Sequence, residues 1–320
     1  MKLIKQSYEI INQTDFSLVG IKKHIERCAR VSYKSEDKIT EDSYEKFVNM
    51  LESRRHDRPL EFGTVHLRMS YEELVDLQDT LIGASIYNDY WLKWNEEIID
   101  SDDNIFVTTN YRYFLEIIKQ HPWIEELLDE SDSEYYPKRY TVHMVLSRGI
   151  MDEFRTHVGL SHLAESTRYC NYSKDKFSNQ VTFIKPCWLN VPEGNYNHCV
   201  MINKDSPDIR VECVGSDEIG KYYNIREDEG LFLNGLVQSE LTYLHLINNR
   251  KWTPQQARSV LPLSVKSELI SCGFEDAWEN FMRRRSPKYG DPGAHPMAAE
   301  IADKLCEEFL KRGFIDEKKI

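Results

Sequence analysis

The chain lacks a hydrophobic run long enough to cross a bilayer, and its first residues do not form a signal peptide, because their apolar run is short and interrupted. It also lacks an excess of positive charge. The formal net charge of −12 argues against non-specific binding to nucleic acid or to an anionic membrane. We therefore expect neither partner, and an anionic ligand has to be held by a local cluster of arginines.

No C-x-x-C pair occurs among the seven cysteines, so the sequence implies neither a zinc knuckle nor a disulfide framework, and no metal site is expected. We interpret the cysteines as reduced thiols in a cytoplasmic protein. A glycine-rich dinucleotide fingerprint is absent as well, which excludes a conventional nucleotide-binding fold as the alternative.

The chain has 320 residues, of which 41% are hydrophobic and 29% charged, and this is ordinary for a globular protein with a sizeable core. We predict a single domain over residues 1–320. Between Lys185 and Asp228 no periodicity outlasts a few residues, and prolines and glycines interrupt the sequence repeatedly. We predict an irregular excursion at about 185–228 rather than a linker between domains.

Hydrophobic periodicity predicts most of the remaining elements. Helices are expected at 18–34, from Thr40 onward, at 231–252 and at 297–310, and strands at 63–70 and 105–109. Residues 71–100 are also expected to be helical, with an aromatic stripe that belongs to the core or to an interface. The stripe consists of Tyr87, Tyr90, Trp91 and Trp94.

The middle of the chain combines an apolar strand, a helix and a polar string. Residues 140–146 alternate as a strand does, and the dozen residues after Arg148 have apolar side chains near helical spacing. A dense polar string follows from Ser161 to Tyr172 and offers little to bury. Polar residues that directly follow a core element are where folds commonly place binding groups, although a solvated loop would have the same composition.

This string resembles the signature region of the flavin-dependent thymidylate synthases. In that family an Arg-His-Arg triplet is followed, after seven residues, by a serine and then by Arg-Tyr. The present chain has the same spacing, but both arginines of the triplet are replaced. The corresponding residues are Thr156, His157, Val158, Ser166, Arg168 and Tyr169.

Three further segments match the family in the same order along the chain. The first contains His56 and Glu61, with Phe62 where the family has a second histidine. The second runs from Pro254 to Pro262 and contains Arg258. The third begins at Trp278, and its matching residues are Asn280, Arg285 and His295. Four segments in family order are far more specific than any one motif.

The resemblance implies an α+β fold with a central, mostly antiparallel sheet flanked by helices, assembled as a homotetramer with active sites built from several subunits. It implies reductive methylation of dUMP to dTMP, with methylenetetrahydrofolate as the carbon donor, FAD as the flavin and NADPH as a co-substrate. The residues expected to bind dUMP are Glu153, Ser166, Arg168, Tyr169, Arg258 and Arg285, and Arg285 is also expected to be catalytic.

The residues implied for FAD are His56, Glu61, His157, Ser161, Ser166, Asn280 and His295. Because Thr156 and Val158 cannot replace two cations, we expect FAD to be weakly bound. Two alternatives remain open: a divergent pyrimidine-nucleotide-binding homologue with altered or lost flavin chemistry, and a non-catalytic nucleotide-binding or assembly protein. The family uses no cysteine nucleophile, so Cys170 is expected to serve packing.

Overall fold

The structure is a computed structural model that describes residues 1–83, 88–95, 104–200, 209–215 and 218–320. The described helices are α1 Leu18–Tyr33, α2 Ser43–Ser53, α3 Tyr71–Gly83, α4 Tyr111–Gln120, α5 Arg148–Phe154, α6 Glu227–Asn248, α7 Pro254–Ala257, α8 Glu275–Arg285 and α9 Pro296–Arg312. The described strands are β1 Lys2–Ile4, β2 Ser7–Ile10, β3 Thr64–Met69, β4 Leu92–Trp94, β5 Ile105–Asn110, β6 Arg139–Ser147, β7 Ser161–Ala164, β8 Thr182–Ile184, β9 Gly194–Val200, β10 Ile209–Gly215, β11 Glu218–Ile225 and β12 Lys266–Phe274.

The described strands form three sheets. A four-stranded sheet has the order β2-β6-β12-β7 and is antiparallel throughout, and β6 pairs with β12 from Ser147–Lys266 to Arg139–Phe274. A three-stranded sheet has the order β3-β5-β4, and a five-stranded sheet has the order β11-β10-β9-β1-β8, in which β1 and β8 are parallel. The predicted α+β class with mostly antiparallel pairing is confirmed, whereas the division into three sheets is not evident from the sequence.

Each sheet is covered by amphipathic helices that bury one apolar face. Helix α1 packs Ile21, Ile25 and Cys28 into the core that it shares with the three-stranded sheet. Helix α9 buries Ile301 and Leu305, one turn apart, against the four-stranded sheet. Among the described residues, none of the helices combines the length and apolar character that a membrane span requires.

The predicted helix at 71–100 is only partly correct. Helix α3 ends at Gly83, and Trp94 lies in strand β4, where it pairs with Val107 of β5. Tyr87 lies outside the described residues, and Tyr90 is 51% exposed. The aromatic spacing imitates a helix, but pairing with β5 satisfies the backbone of this segment, and such tertiary contacts override local propensity.

The prediction of an irregular excursion at 185–228 is wrong for residues 194–200, 209–215 and 218–225, which are strands. Strands β9, β10 and β11 form an antiparallel meander. Residues 209–213 alternate apolar and polar types, but register shifts interrupt the β10 pairing on both sides of Cys213. The alternation is therefore limited to five residues, too short a run to stand out in a segment interrupted by prolines and glycines. The single domain remains a prediction.

The helix predicted after β6 is shorter than expected, because it ends at Phe154. The hydroxyl of Thr156 donates to the carbonyl of Glu153 at 2.7 Å, and Gly159 follows with a φ of +91°. A positive φ of this kind turns the chain away from helical geometry and favours glycine. Val158 is consequently 65% exposed instead of lying on a buried helical face.

Candidate functional site

The polar string predicted to bind a ligand is a fixed loop in the structure. We call residues 165–172, which follow strand β7, the motif loop. The backbone N–H of Glu165 donates to the Glu268 carbonyl at 2.8 Å, and that of Ser166 donates to the Ser32 carbonyl at 3.0 Å. The loop is therefore attached both to strand β12 and to the end of helix α1.

A cleft of about 420 Å³ lies beside the motif loop. Arg258 donates from Nη1 to Oγ1 of Thr167 at 2.9 Å, and Arg168 donates from Nε to Oε1 of Gln255 at 3.3 Å. Arg148 also lines the cleft. The structure thus brings together two of the three arginines expected to bind dUMP and adds a third that the sequence analysis did not include.

The charges in this cleft are unbalanced. In the described part of the chain no carboxylate forms an ion pair with Arg168 or Arg258, whereas Arg148 has Asp152 at 3.4 Å from its Nε. Both unpaired arginines use a neutral oxygen as partner. Arginines without carboxylate partners, in a chain with a net charge of −12, are the arrangement that an anion would stabilise.

Arg285 lies in a different place, at the end of helix α8. Its Nη1 donates to Oε2 of Glu153 at 3.1 Å, its Nη2 donates to the Glu153 carbonyl at 3.1 Å, and its Nε donates to Nε2 of His157 at 2.8 Å. His157 precedes the first residue of strand β7, whereas the motif loop follows its last residue. Within one described chain, no contact joins Arg285 to the cleft.

His157 is held as a neutral acceptor. Burial lowers the pKa of His157 to about 4, and the adjacent positive charge of Arg285 acts in the same direction. Because Nε2 accepts the bond from Arg285, the ring proton of the neutral form lies on Nδ1. His157 and Glu153 together fix the direction of the Arg285 guanidinium.

Two of the residues expected to bind FAD form a buried pair. Ser161 donates from Oγ to Oε2 of Glu61 at 2.6 Å, and Glu61 is 1% exposed. Arg112 donates from Nη1 to Oε1 of Glu61 at 2.8 Å, and Arg58 lies 3.4 Å from Oε2. The carboxylate therefore has partners on both oxygens, and it connects strand β7 to the turn before β3.

The other residues expected at the flavin site are scattered over the chain. His56 is exposed beyond the end of α2. Asn280 accepts a bond from Nε of Arg284 at 3.2 Å. His295 is exposed and caps helix α9, since its Nδ1 accepts from the Met297 backbone at 3.1 Å. Tyr169, expected to contact dUMP, is 60% exposed.

A family model described as thymidylate synthase complementing protein, Thy1, matches residues 119–312, which is more than half of the chain. The chain belongs to the Thy1 family. The resemblance to the flavin-dependent thymidylate synthases is thereby confirmed. The matched residues include the motif loop, Arg148, Arg258 and Arg285. No curated protein matches the chain.

Solved structures similar to this Thy1 chain include the UMP/dUMP methylase PolB from Streptomyces cacaoi bound with 5-Br dUMP. The two chains are 14% identical with a TM-score of 0.39, and the alignment covers 100% of this chain and 95% of PolB. Another is the flavin-dependent thymidylate synthase ThyX from Helicobacter pylori complexed with FAD and dUMP, at 11% identity and a TM-score of 0.34, covering 98% of this chain and 100% of that one. At TM-scores below 0.5, neither structure shows how the site of this chain is arranged.

Several residues that surround the site in this Thy1 chain were missed by the sequence analysis. Arg148 and Gln255 lie inside or beside segments that match the family, so their position in the sequence was a usable signal. Ser32 could be recognised only from the structure. Its Oγ is buried without a hydrogen-bond partner, next to the point where its carbonyl receives the Ser166 backbone.

Cys170 belongs to the core beneath the motif loop. It is 2% exposed, and burial raises the pKa of its thiol to about 12, with the nearby Glu165 carboxylate as a further cause. A thiol with a raised pKa is a poor nucleophile at neutral pH. The predicted packing role is consistent with this environment.

Acid should destabilise this Thy1 chain between about pH 6.5 and pH 4. Burial lowers the pKa of His24 to about 3 and the pKa of His66, His157 and His162 to about 4. The unfolded chain binds these protons near pH 6.5 and the folded chain does not. The free energy of unfolding therefore decreases as the pH is lowered across this window. Each histidine contributes at most about 1.4 kcal/mol per pH unit.

Urea unfolding at a series of pH values measures this effect. His162→Gln, which can retain a bond to Oγ of Ser271, is the matched variant and should reduce the slope. Glu268 adds a loss only below about pH 4.5, because its folded-state pKa is depressed by the His143 hydrogen bond and by Lys266 and Lys34. A stability that stays constant from pH 7 to pH 5 would contradict the prediction.

Proposed function

We propose that this Thy1 chain is a flavin-dependent thymidylate synthase that converts dUMP to dTMP. The one-carbon unit comes from methylenetetrahydrofolate, and NADPH is the reductant of FAD. The protein acts in the cytoplasm as a homotetramer. This reaction forms a carbon–carbon bond at the pyrimidine ring and then reduces the transferred methylene to a methyl group.

The cleft beside the motif loop supports the nucleotide part of this proposal. A phosphate monoester is bound best by two or three charge-assisted donors in a fork. Arg258 and Arg168 each donate one guanidinium N–H to a neutral oxygen, and their other N–H donors are available to a ligand. Ser166 and Tyr169 belong to the same loop and complete the proposed dUMP contacts. A surface arginine would instead be expected to pair with one of the many carboxylates of this acidic chain.

Arg285 supports the catalytic part. Attack at the pyrimidine ring builds negative charge on a ring carbonyl, and a fixed cation lowers the energy of that charge. Glu153 and His157 hold the Arg285 guanidinium in one orientation before substrate arrives. We assign Arg285 the stabilising role and Glu153, whose side chain is 39% exposed, a hydrogen bond to the nucleotide.

The residues present fit a flavin in part. The unpartnered Oγ of Ser32 beside Ser166 leaves a buried polar group for a ligand to satisfy. Thr156 and Val158 do not offer the cations that a flavin diphosphate requires, which makes this the weak point of the site. The residues that we propose for FAD are His56, Glu61, His157, Ser161, Ser166, Asn280 and His295. Bound flavin supplies the hydride that completes the methyl group.

Several subunits are needed in this proposal, because Arg285 and the cleft lie at different places in one chain. In a homotetramer with shared sites, Arg285 of one subunit can face the cleft of another. Analytical ultracentrifugation tests the assembly. A protein that remains monomeric while it converts dUMP would contradict the shared site.

The activity itself is tested by incubating the purified protein with dUMP, methylenetetrahydrofolate, FAD and NADPH and measuring dTMP. Arg285→Lys is the matched variant, since it keeps the charge but loses the planar fork. We expect dTMP from the unmodified protein and much less from the variant. Absence of dTMP, with the protein folded and tetrameric, would contradict the proposed function.

One observation favours the alternative, a pyrimidine-nucleotide-binding homologue with altered or lost flavin chemistry. Val158 presents an exposed apolar side chain where the family has a cation, and Arg285 already contacts Oγ1 of Thr156 at 3.4 Å. The alternative predicts dUMP binding without flavin uptake. Calorimetry with dUMP and a visible spectrum with added FAD separate the two.

A further inference from the structure

A buried network of ion pairs lies beneath the motif loop. Nζ of Lys266 is 2.7 Å from Oε2 of Glu165 and also contacts Glu268. Nζ of Lys34 is 2.5 Å from Oε2 of Glu268. The side chain of Glu165 is 0% exposed and that of Glu268 9%. Two lysines therefore contact these two carboxylates in a place from which water is largely excluded.

The network connects the motif loop to the two elements that hold it, strand β12 and the end of helix α1. Glu165 is the first residue of the loop, Lys266 and Glu268 lie on strand β12, and Lys34 follows the last residue of helix α1. Lys34 has a φ of +49°, a left-handed conformation that is unfavourable for a lysine. As the C-cap of α1, its backbone N–H donates to the carbonyls of Arg30 and Val31, and its side chain pairs with Glu268 and Glu36.

Stability alone does not account for this arrangement. Removing ions from water costs free energy that their attraction often fails to recover, and apolar residues of similar volume are frequently no worse. Oε1 of Glu165 has no hydrogen-bond partner among the described residues, which adds to that cost. Charged groups have a stricter geometry than apolar ones, so they are suited to fixing one position of the loop.

We propose that Lys266 is a positioning residue of the nucleotide site, because its ion pair with Glu165 fixes the motif loop, in which Thr167 lines the cleft and Arg168 bonds to Gln255 at its edge. Nothing in the family resemblance assigns this role to Lys266. The inference rests on the proposed function for its effect on dUMP. The effect of Lys266 on the motif loop does not depend on any ligand.

Two variants of the full chain test the proposal. Lys266→Met removes the cation and leaves Glu165 unpaired, whereas Glu165→Gln together with Lys266→Met removes both charges. Lys288→Met is the matched control, because Lys288 pairs with Glu307 at 2.5 Å on the surface, with both side chains at least half exposed. The measurements are thermal unfolding, hydrogen–deuterium exchange of the ligand-free protein and calorimetry with dUMP.

The double variant should unfold near the temperature of the unmodified protein, whereas the amides of Ser166 and Cys170 should exchange at least about tenfold faster. Its affinity for dUMP should fall at least about tenfold, as expected for a displaced binding group. Lys288→Met should change neither quantity.

Unchanged exchange in the double variant would overturn the proposal, and so would failure of that variant to fold, since the network would then be purely structural. Failure of the unmodified protein to bind dUMP would instead contradict the proposed function. In that case the exchange data alone decide whether Lys266 positions the loop.

Discussion

Replacing Arg168 and Arg258 together with alanine is expected to weaken dUMP binding by about two to four orders of magnitude. A hydrogen bond to a charged group contributes about 1.5–3 kcal/mol, and every 1.4 kcal/mol is about a tenfold change in affinity. Each single variant should therefore lose about one to two orders of magnitude. Calorimetry with dUMP measures all three, and the thermal stability of each variant verifies that it is folded.

Arg312→Ala is the matched control for this series, because Arg312 forms a surface ion pair with Glu308 on helix α9. It removes one guanidinium without touching the cleft, and dUMP affinity should stay the same. Arg285→Ala should weaken dUMP binding as much as either single variant if subunits share the site. Unchanged affinity in the double variant would remove the nucleotide site from the cleft.

Elements with an uninterrupted period were predictable from the sequence. Strand β6 and helix α9 lie where the alternating run at 140–146 and the apolar stripe at 297–310 predict them. Strand β4 was not predictable, because its stability comes from pairing with β5. The alternation of β10 lasts only five residues before the register shifts around Cys213. Local patterns do not contain the long-range pairing that decides such segments.

The candidate site shows the same division. The order of the matching segments indicates Arg168 and Arg258, and the structure places these two beside one cleft. The sequence could not reveal that Glu153 and His157 accept hydrogen bonds from Arg285, because the three residues meet only through the packing of α5 against α8. The sequence likewise does not reveal that the buried hydroxyl of Ser32 has no hydrogen-bond partner.

Flavin should be largely absent from the purified protein and should bind only when FAD is supplied in excess. Two charge-assisted bonds that Thr156 and Val158 cannot make would together account for two or more orders of magnitude in affinity. Absorbance of the purified protein in the visible range, followed by titration with FAD, measures this. Stoichiometric, tightly held FAD would contradict the prediction, and no uptake at high concentration would favour the alternative function.

Restoring a cation should tighten FAD, but the two positions are not equivalent. Val158 is 65% exposed, so an arginine there has room to reach a ligand. Thr156 contacts the Arg285 guanidinium, and an arginine at 156 would bring two like charges together. Val158→Arg should therefore tighten FAD by about one to two orders of magnitude, and adding Thr156→Arg should gain less than the first change. Val158→Gln, similar in length but uncharged, should have little effect. Equal tightening by Val158→Gln and Val158→Arg would show that the lost charge is not what weakens the flavin site.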